Sequence, residues 1–164
     1  MTPNKSNTAD RYAPADFFVG QRGNMIKLGT RYRTQWATQF FASAELTRRG
    51  YLVSLTFGNA PSSDLLVQSP NGSHFTVDVK GQSNKSFWLI QPRPSSSDHY
   101  FMLVYLTKNG EMPTYFILSS DELMKKREEY KQHVLHKGRY RDDLGGINWT
   151  TAFDYKDKWE ALPL

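Results

Sequence analysis

The stretch that decides the fold is DLLVQSPNGSHFTVDVKGQ, residues 64–82. Two runs in which apolar and polar residues alternate, 64–69 and 73–82, flank Pro70-Asn71-Gly72, which indicates two strands joined by a tight turn. Pro70 fixes φ at a negative value, so the turn cannot be of type I′. The tripeptide suits a three-residue loop closed by a glycine in the left-handed conformation. The sequence therefore predicts a β-hairpin.

This loop also predicts the register of the hairpin. Ser69 should oppose Ser73, and the same register places Asp64 opposite Asp78. One face then carries only apolar side chains: Leu65, Val67, Phe75, Val77 and Val79. The other face is mainly polar: Asp64, Leu66, Gln68, His74, Thr76, Asp78, Lys80 and Gln82. The two acids and the lysine at one end indicate either a solvated sheet face or a metal site, and the strongly apolar opposite face favours the metal site.

Composition limits the class of protein. The chain has 164 residues, 38% of them hydrophobic and 14% aromatic, which predicts one folded domain over 14–164 after a flexible tail, 1–13. It has no cysteine, which excludes thiolate chemistry. No apolar run is long enough to span a membrane and the N-terminus lacks an apolar signal region, so we expect a cytoplasmic protein. The net charge of +5 favours a polyanionic partner.

Further helices and strands surround the hairpin. Residues 30–49 read as a helix that Thr30 caps and Gly50 ends. Its predicted apolar stripe consists of Trp36, Ala37, Phe40, Phe41 and Ala44. Strands are predicted at 51–57, 87–91, 100–107 and 114–118, and a capping box at Ser119 opens a helix to about His136. Residues 14–29 read as an irregular lead-in. The order of these elements indicates an α/β or α+β fold with a mixed sheet.

Several residues that could carry chemistry have a simpler interpretation. The histidines show no zinc-binding spacing, and His74 lies too far along its strand to reach Asp78. Trp88 could stack on a base, but core packing is the better interpretation. The alternating charges at 125–129 indicate a solvated helix face.

A helix, a strand, and an Asp that opens a hairpin ending in Asp-x-Lys resemble the PD-(D/E)XK nuclease superfamily, which includes restriction endonucleases and archaeal Holliday-junction resolvases. The matching residues are Asp64 and Asp78-Val79-Lys80, with thirteen residues between the acids. Residues 45–53, ELTRRGYLV, are similar to the step from helix to strand in resolvase-like members. The resemblance covers roughly 30–118. It implies a restriction-endonuclease-like α/β fold, a mixed central sheet flanked by helices, with a core at about 30–136.

The chain departs from the family pattern at two places. Ser63 replaces the proline before the first acid. Many resolvase-like members have a Glu in the first helix where this chain has Gln39; Glu45 is the nearest acid, on the other flank of the predicted stripe. Either residue is therefore a candidate for the helix contribution to the site.

The resemblance implies a Mg²⁺ site, which Mn²⁺ could also fill, held by Asp64, Asp78 and the backbone carbonyl of Val79. Lys80 would contact the scissile phosphate and position or deprotonate the water. Gln82 would orient water or phosphate, or else is an exposed strand end. Basic residues near the site could line a phosphate groove, although each alone is more often a solvated charge: Lys27, Arg31, Arg33, Lys85 and Arg93.

Three functions follow as hypotheses. The first is a metal-dependent nuclease, with DNA as the favoured substrate and endonucleolytic cleavage as the favoured reaction. The second is a catalytically weak or inactive subunit that keeps the fold for nucleic-acid binding or assembly. The third is a partner-binding α/β domain whose acidic cluster is incidental. Because no separate specificity domain is visible, we also expect a homodimer or a larger complex.

Overall fold

The computed structural model describes residues 30–56, 63–107, 110–137 and 145–164. The predicted tail, the lead-in at 14–29, Lys27 and the side chain of Thr30 lie outside the described residues. Within the described part, no helix is both long and apolar enough to cross a membrane.

Three helices and seven strands make up the described structure. The helices are α1 (Thr30–Arg48), α2 (Ser120–His136) and α3 (Trp149–Ala152). The strands are β1 (Leu52–Leu55), β2 (Leu65–Gln68), β3 (His74–Gln82), β4 (Trp88–Leu89), β5 (His99–Tyr105), β6 (Thr114–Ser119) and β7 (Gly146–Ile147). Two 3₁₀ turns follow α3, at Phe153–Tyr155 and Trp159–Ala161.

The central sheet is mixed, which confirms the predicted fold class. Its spatial order is β1-β2-β3-β5-β6. β3 and β5 are parallel, whereas the other neighbours are antiparallel. The crossover from β3 to β5 contains β4, which pairs with β7 in a separate two-stranded sheet. The predicted strand at 87–91 therefore shrinks to two residues outside the central sheet, because its partner is the distant Gly146–Ile147 strand.

The hairpin has the predicted register over most of its length. Leu65 pairs with Val77 and Gln68 with His74, and Gly72 has a φ of +92°, as the three-residue loop requires. The ladder ends at Leu65 and Val77. The N–H of Asp64 donates to the carbonyl of Val77 at 3.1 Å, so the predicted pair of Asp64 with Asp78 is not a ladder pair. Asp64 therefore lies just outside β2, immediately before its first residue.

Helices cover both faces of the sheet because side chains of β5 and β6 alternate between two cores. On one face α1 contributes Ala42 and Leu46 to a core of aliphatic and aromatic side chains from the strands: Leu65, Val67, Phe75, Val77, Val79, Met102, Val104, Tyr115 and Ile117. On the other face Leu123 of α2 packs in a core with Trp88, Ile90, Phe101, Leu103, Phe116, Leu118 and Ile147.

The predicted apolar stripe of α1 is wrong. Phe40 and Phe41 are 52% and 39% exposed. The buried side chains of the helix are Thr38, Gln39, Ala42, Glu45 and Leu46. Gly81 of β3 explains which side chains of α1 are buried, because a methyl group on Gly81 would lie 2.6 Å from Cγ2 of Thr38. The absent side chain lets the small residues of α1 approach the sheet, and the large rings turn outward.

The second helix begins as predicted but is not a wholly solvated charged face. The Ser119 hydroxyl accepts from the N–H of Glu122, whose carboxylate accepts from the N–H of Ser119. Arg127 is buried, and its Nε–H donates to the carbonyl of Ile90 at 2.8 Å. This bond ties α2 to the segment after β4, a pairing that charge alternation within the helix does not reveal.

Candidate active site

The first acid of the candidate site, Asp64, is fixed at both carboxylate oxygens. Its Oδ1 accepts from Nε2 of Gln39 on α1 at 2.8 Å, and its Oδ2 accepts from the N–H of Val79 on β3 at 2.8 Å. Burial raises the pKa of Asp64, and the nearby charge of Asp78 adds to the rise, while the Val79 N–H and the Lys80 charge oppose it. The helix, the hairpin and the loop before it therefore meet at one carboxylate.

The second acid, Asp78, is held between two cations. Its Oδ2 lies 3.4 Å from Nζ of Lys80 and 3.2 Å from Nη1 of Arg93. The Asp78 side chain is only 14% exposed. Asp78 and Lys80 are two residues apart on β3, so they share a face of the sheet, as the alternation predicts. Arg93 approaches from the crossover before β5.

Arg93 has a second partner in the buried histidine His99. Its Nη1 lies 3.2 Å from Nε2 of His99, whose Nδ1 lies 2.7 Å from Oγ1 of Thr76. A guanidinium can only donate, so Nε2 accepts and the imidazole is neutral with its proton on Nδ1. Burial and the Arg93 charge lower the pKa of His99, in keeping with this form.

The role of His99 was missed from the sequence, where it showed no motif. Thr76 and His99 pair in the parallel register of β3 with β5, so the contact depends on a strand pairing that alternation alone does not specify. Arg93 was predicted as a phosphate-groove residue; the structure places it against Asp78 itself.

An open cleft of about 540 Å³ is lined by the first acid, Asp64, but not by Asp78. The hairpin end contributes Asp64, Val79, Lys80 and Gln82 to its walls, and α1 contributes Arg31, Thr34 and Gln35. The side-chain oxygen of Gln82 is buried and has no hydrogen-bond partner in the described part of the chain. A buried acceptor without a donor is costly, so it suits a site where a water or a cation is bound.

Other predicted site residues lie elsewhere. Glu45 is not at the acid pair: its carboxylate accepts from Arg48 at 2.7 Å and Arg49 at 2.8 Å, which holds its pKa below its usual range. Of the two candidates on α1, Gln39, six residues earlier, is the one that contacts Asp64. Lys85 lies over the ring of Trp149, with Nζ 5.4 Å from the ring centroid, and not in the cleft. Arg33 is exposed on α1 but does not line the cleft.

The donor set fits a hard divalent cation in its chemistry. Asp64 and Asp78 offer carboxylates, and the carbonyl of Val79 points to the same strand edge as its N–H, which bonds Asp64. Among the described residues, however, no group of three His, Asp or Glu side chains is arranged to hold a metal. A cation here would rely on two carboxylates supplemented by neutral oxygens, with the unpaired oxygen of Gln82 as a candidate.

Comparison with known proteins gives a likeness of fold and no match in sequence. No family model and no curated protein matches the sequence. Among solved structures, the bacterial homing endonuclease I-Ssp6803I superposes with a TM-score of 0.53 at 15% identity, over 80% of this chain and 92% of that chain. At this level of identity the likeness concerns architecture. The mixed sheet flanked by helices is thus a fold that this chain shares with a homing endonuclease.

Proposed function

We propose that this protein is a divalent-metal-dependent nuclease that hydrolyses phosphodiester bonds, with DNA as the favoured substrate and internal cleavage as the favoured reaction. The observation that carries the proposal is that Asp64 and Lys80 line one open cleft, while Asp78 lies 3.4 Å from Lys80 on the same strand. Likeness of fold to a homing endonuclease supports it.

Each residue of the site has a role in such a reaction. Asp64, Asp78 and the carbonyl of Val79 would hold Mg²⁺ or Mn²⁺, which supplies Lewis-acid charge stabilisation and a more acidic bound water. Lys80 lies beside Asp78 and lines the cleft, so its ammonium would face the scissile phosphate and position the water. The unpaired oxygen of Gln82 would accept a hydrogen bond from that water.

Two hydrogen-bond donors fix the orientation of the Asp64 carboxylate. Because Gln39 and the Val79 N–H each hold one oxygen, the carboxylate is orientated before any cation binds. Such preorganisation lowers the cost of reaching the reactive arrangement. Arg31 and Gln35, in the helix wall of the cleft, would contact phosphates near the scissile bond.

The test is cleavage of plasmid, linear, single-stranded and branched DNA and of RNA, in Mg²⁺ or Mn²⁺. We expect Asp78→Asn and Lys80→Met each to lower the rate at least about 100-fold. The exposed pair Lys126 and Glu129, 2.8 Å apart on α2, provides matched controls, since Lys126→Met and Glu129→Gln remove the same charges away from the cleft. Cleavage unaffected by the site variants would refute the assignment.

A second function has one observation in its favour. The helix residue at Asp64 is an amide and not an acid, which leaves two carboxylates at the site. A chain of this fold with a weak metal site could act as a non-catalytic nucleic-acid-binding or assembly subunit. Tight, salt-sensitive binding of nucleic acid without cleavage of any substrate would select this function.

A further inference from the structure

Helix α1 carries two parallel stripes that run toward the acid pair. Arg31, Gln35 and Gln39 are spaced by four residues; the first two line the cleft and the third bonds Asp64. The residue after each is aromatic, so a second stripe runs beside the first. We call this the aromatic stripe: Tyr32, Trp36 and Phe40.

The rings of the aromatic stripe contact one another in order. The centroids of Tyr32 and Trp36 are 6.2 Å apart, and those of Trp36 and Phe40 are 5.8 Å apart with the planes 30° from parallel. From first to last the stripe spans about 12 Å along the helix axis. It is therefore a continuous aromatic surface and not a set of scattered side chains.

This surface lies outside both cores. Tyr32 and Phe40 are each 52% exposed, and Trp36 between them is half-buried. Contiguous aromatic surface in contact with water is a feature of recognition sites. Arg31 and Arg33, both exposed, flank Tyr32, so the charge of the surroundings suits a polyanion.

We infer that the aromatic stripe is a base-stacking surface, and that the substrate it takes is nucleic acid with an unpaired strand. The inference rests on the proposed function, because the aromatic stripe adjoins Arg31 and Gln35, which line the cleft. Phosphates of the bound strand would follow Arg31 and Gln35 toward Lys80, while its bases stack on the rings of Tyr32 and Phe40.

An unpaired strand fits this surface better than a duplex. The bases of a duplex are already stacked on each other, and its outer surface presents phosphates, which gain nothing from aromatic rings. Splayed bases gain about 1–3 kcal/mol each from an aromatic partner, with little dependence on sequence.

The test is the affinity of the full chain for a fluorescent oligothymidine strand and for a blunt duplex of the same length, in Ca²⁺ to suppress cleavage. The variant is the double substitution Tyr32→Ala, Phe40→Ala, whose exposed positions allow the fold to persist; the thermal midpoint verifies this. The matched control is Phe41→Ala, which removes an exposed ring, 39% accessible, from the same helix outside the stripe.

We expect the double variant to lose about 10- to 100-fold in affinity for the strand and less than about 3-fold for the duplex. Phe41→Ala should retain both affinities. An unchanged affinity for the strand, or an equal loss on both ligands, overturns the inference. So does a wild-type dimer in light scattering that the double variant converts to a monomer, since the stripe would then be a contact between copies.

The two proposals can fail separately. If the wild-type protein cleaves nucleic acid but the double variant binds the strand as tightly as the wild type, base stacking is refuted and the nuclease stands. If the wild type cleaves nothing while the double variant loses the strand selectively, the stacking surface is supported and the nuclease is refuted.

Discussion

The side-chain amide of Gln39 donates to Oδ1 of Asp64 at 2.8 Å, across 25 positions of sequence. The helix residue at the first acid is therefore a hydrogen-bond donor and not a carboxylate. An amide suits this position when no cation is bound, because it satisfies a buried carboxylate that a second carboxylate would repel.

Replacement of this amide by an acid should make the fold depend on metal. In Gln39→Glu two carboxylates would face each other, so we expect the free energy of unfolding without metal to fall by about 1–3 kcal/mol. Mn²⁺ should restore it, since the variant offers a third carboxylate. Urea denaturation with and without Mn²⁺ measures both effects. Gln35→Glu, one turn away and not bonded to Asp64, is the control; equal behaviour of the two variants would contradict the prediction.

The absent side chain of Gly81 sets how closely α1 lies against β3. A methyl group there would lie 2.6 Å from Cγ2 and 2.9 Å from Cβ of Thr38, which is fully buried. We therefore expect Gly81→Ala to lower the free energy of unfolding by about 1–3 kcal/mol. It should also weaken cleavage, because the helix that carries Gln39 would move away from Asp64.

A double-mutant cycle measures the contact directly. Thr38→Ala removes Cγ2 and Oγ1 but leaves Cβ, so it should rescue Gly81→Ala in part. Strict additivity of the two substitutions would show that the close approach of helix and strand does not set the cost.

Some parts of the fold could be predicted from the sequence and others could not. The hairpin could, because Pro70 and Gly72 determine the loop and the alternation of residues then determines the faces. The buried face of α1 could not, because hydrophobicity favours Phe40 and Phe41, whereas the space over Gly81 admits only small side chains. The contacts of Arg93 with Asp78 and His99 accompany the parallel pairing of β3 with β5, which brings together residues that no local pattern connects.

The ion pairs of Glu45 predict a loss of stability in acid. Hydrogen bonds from Arg48, and then from Arg49, lower the pKa of Glu45 below its ordinary value of 4.5. The unfolded chain therefore binds a proton more readily, so this contribution is present above pH 4.5 and is lost as the pH falls through the folded-state value. Glu45→Gln should be less stable than the wild type at pH 7, and the difference should shrink below pH 4.5.

Unfolding curves of wild type and Glu45→Gln from pH 3 to 7 provide the measurement. Cleavage at pH 7 should be unchanged in the variant, because Glu45 is bound to arginines and not to the acid pair. A loss of cleavage without loss of stability would show that Glu45 takes part in the reaction.

The contact of Arg93 with Asp78 predicts competition between a side chain and a metal ion. A guanidinium 3.2 Å from Oδ2 of Asp78 neutralises the charge that a cation would use. In Arg93→Gln the competing positive charge is gone. We therefore expect the affinity for Mn²⁺, measured by calorimetry, to rise about 3- to 10-fold.

The same variant should bind nucleic acid less tightly at low salt. A metal at Asp78 would displace the Arg93 guanidinium and free it to contact a phosphate, and the variant lacks this positive charge. Arg48→Gln is the matched control: it removes a guanidinium held by a carboxylate remote from the cleft, so its Mn²⁺ affinity should equal that of the wild type. If Arg93→Gln bound Mn²⁺ more weakly than the wild type, competition would be refuted. Arg93 would then stay in contact with Asp78 while the metal binds and would hold Asp78 in place as a ligand.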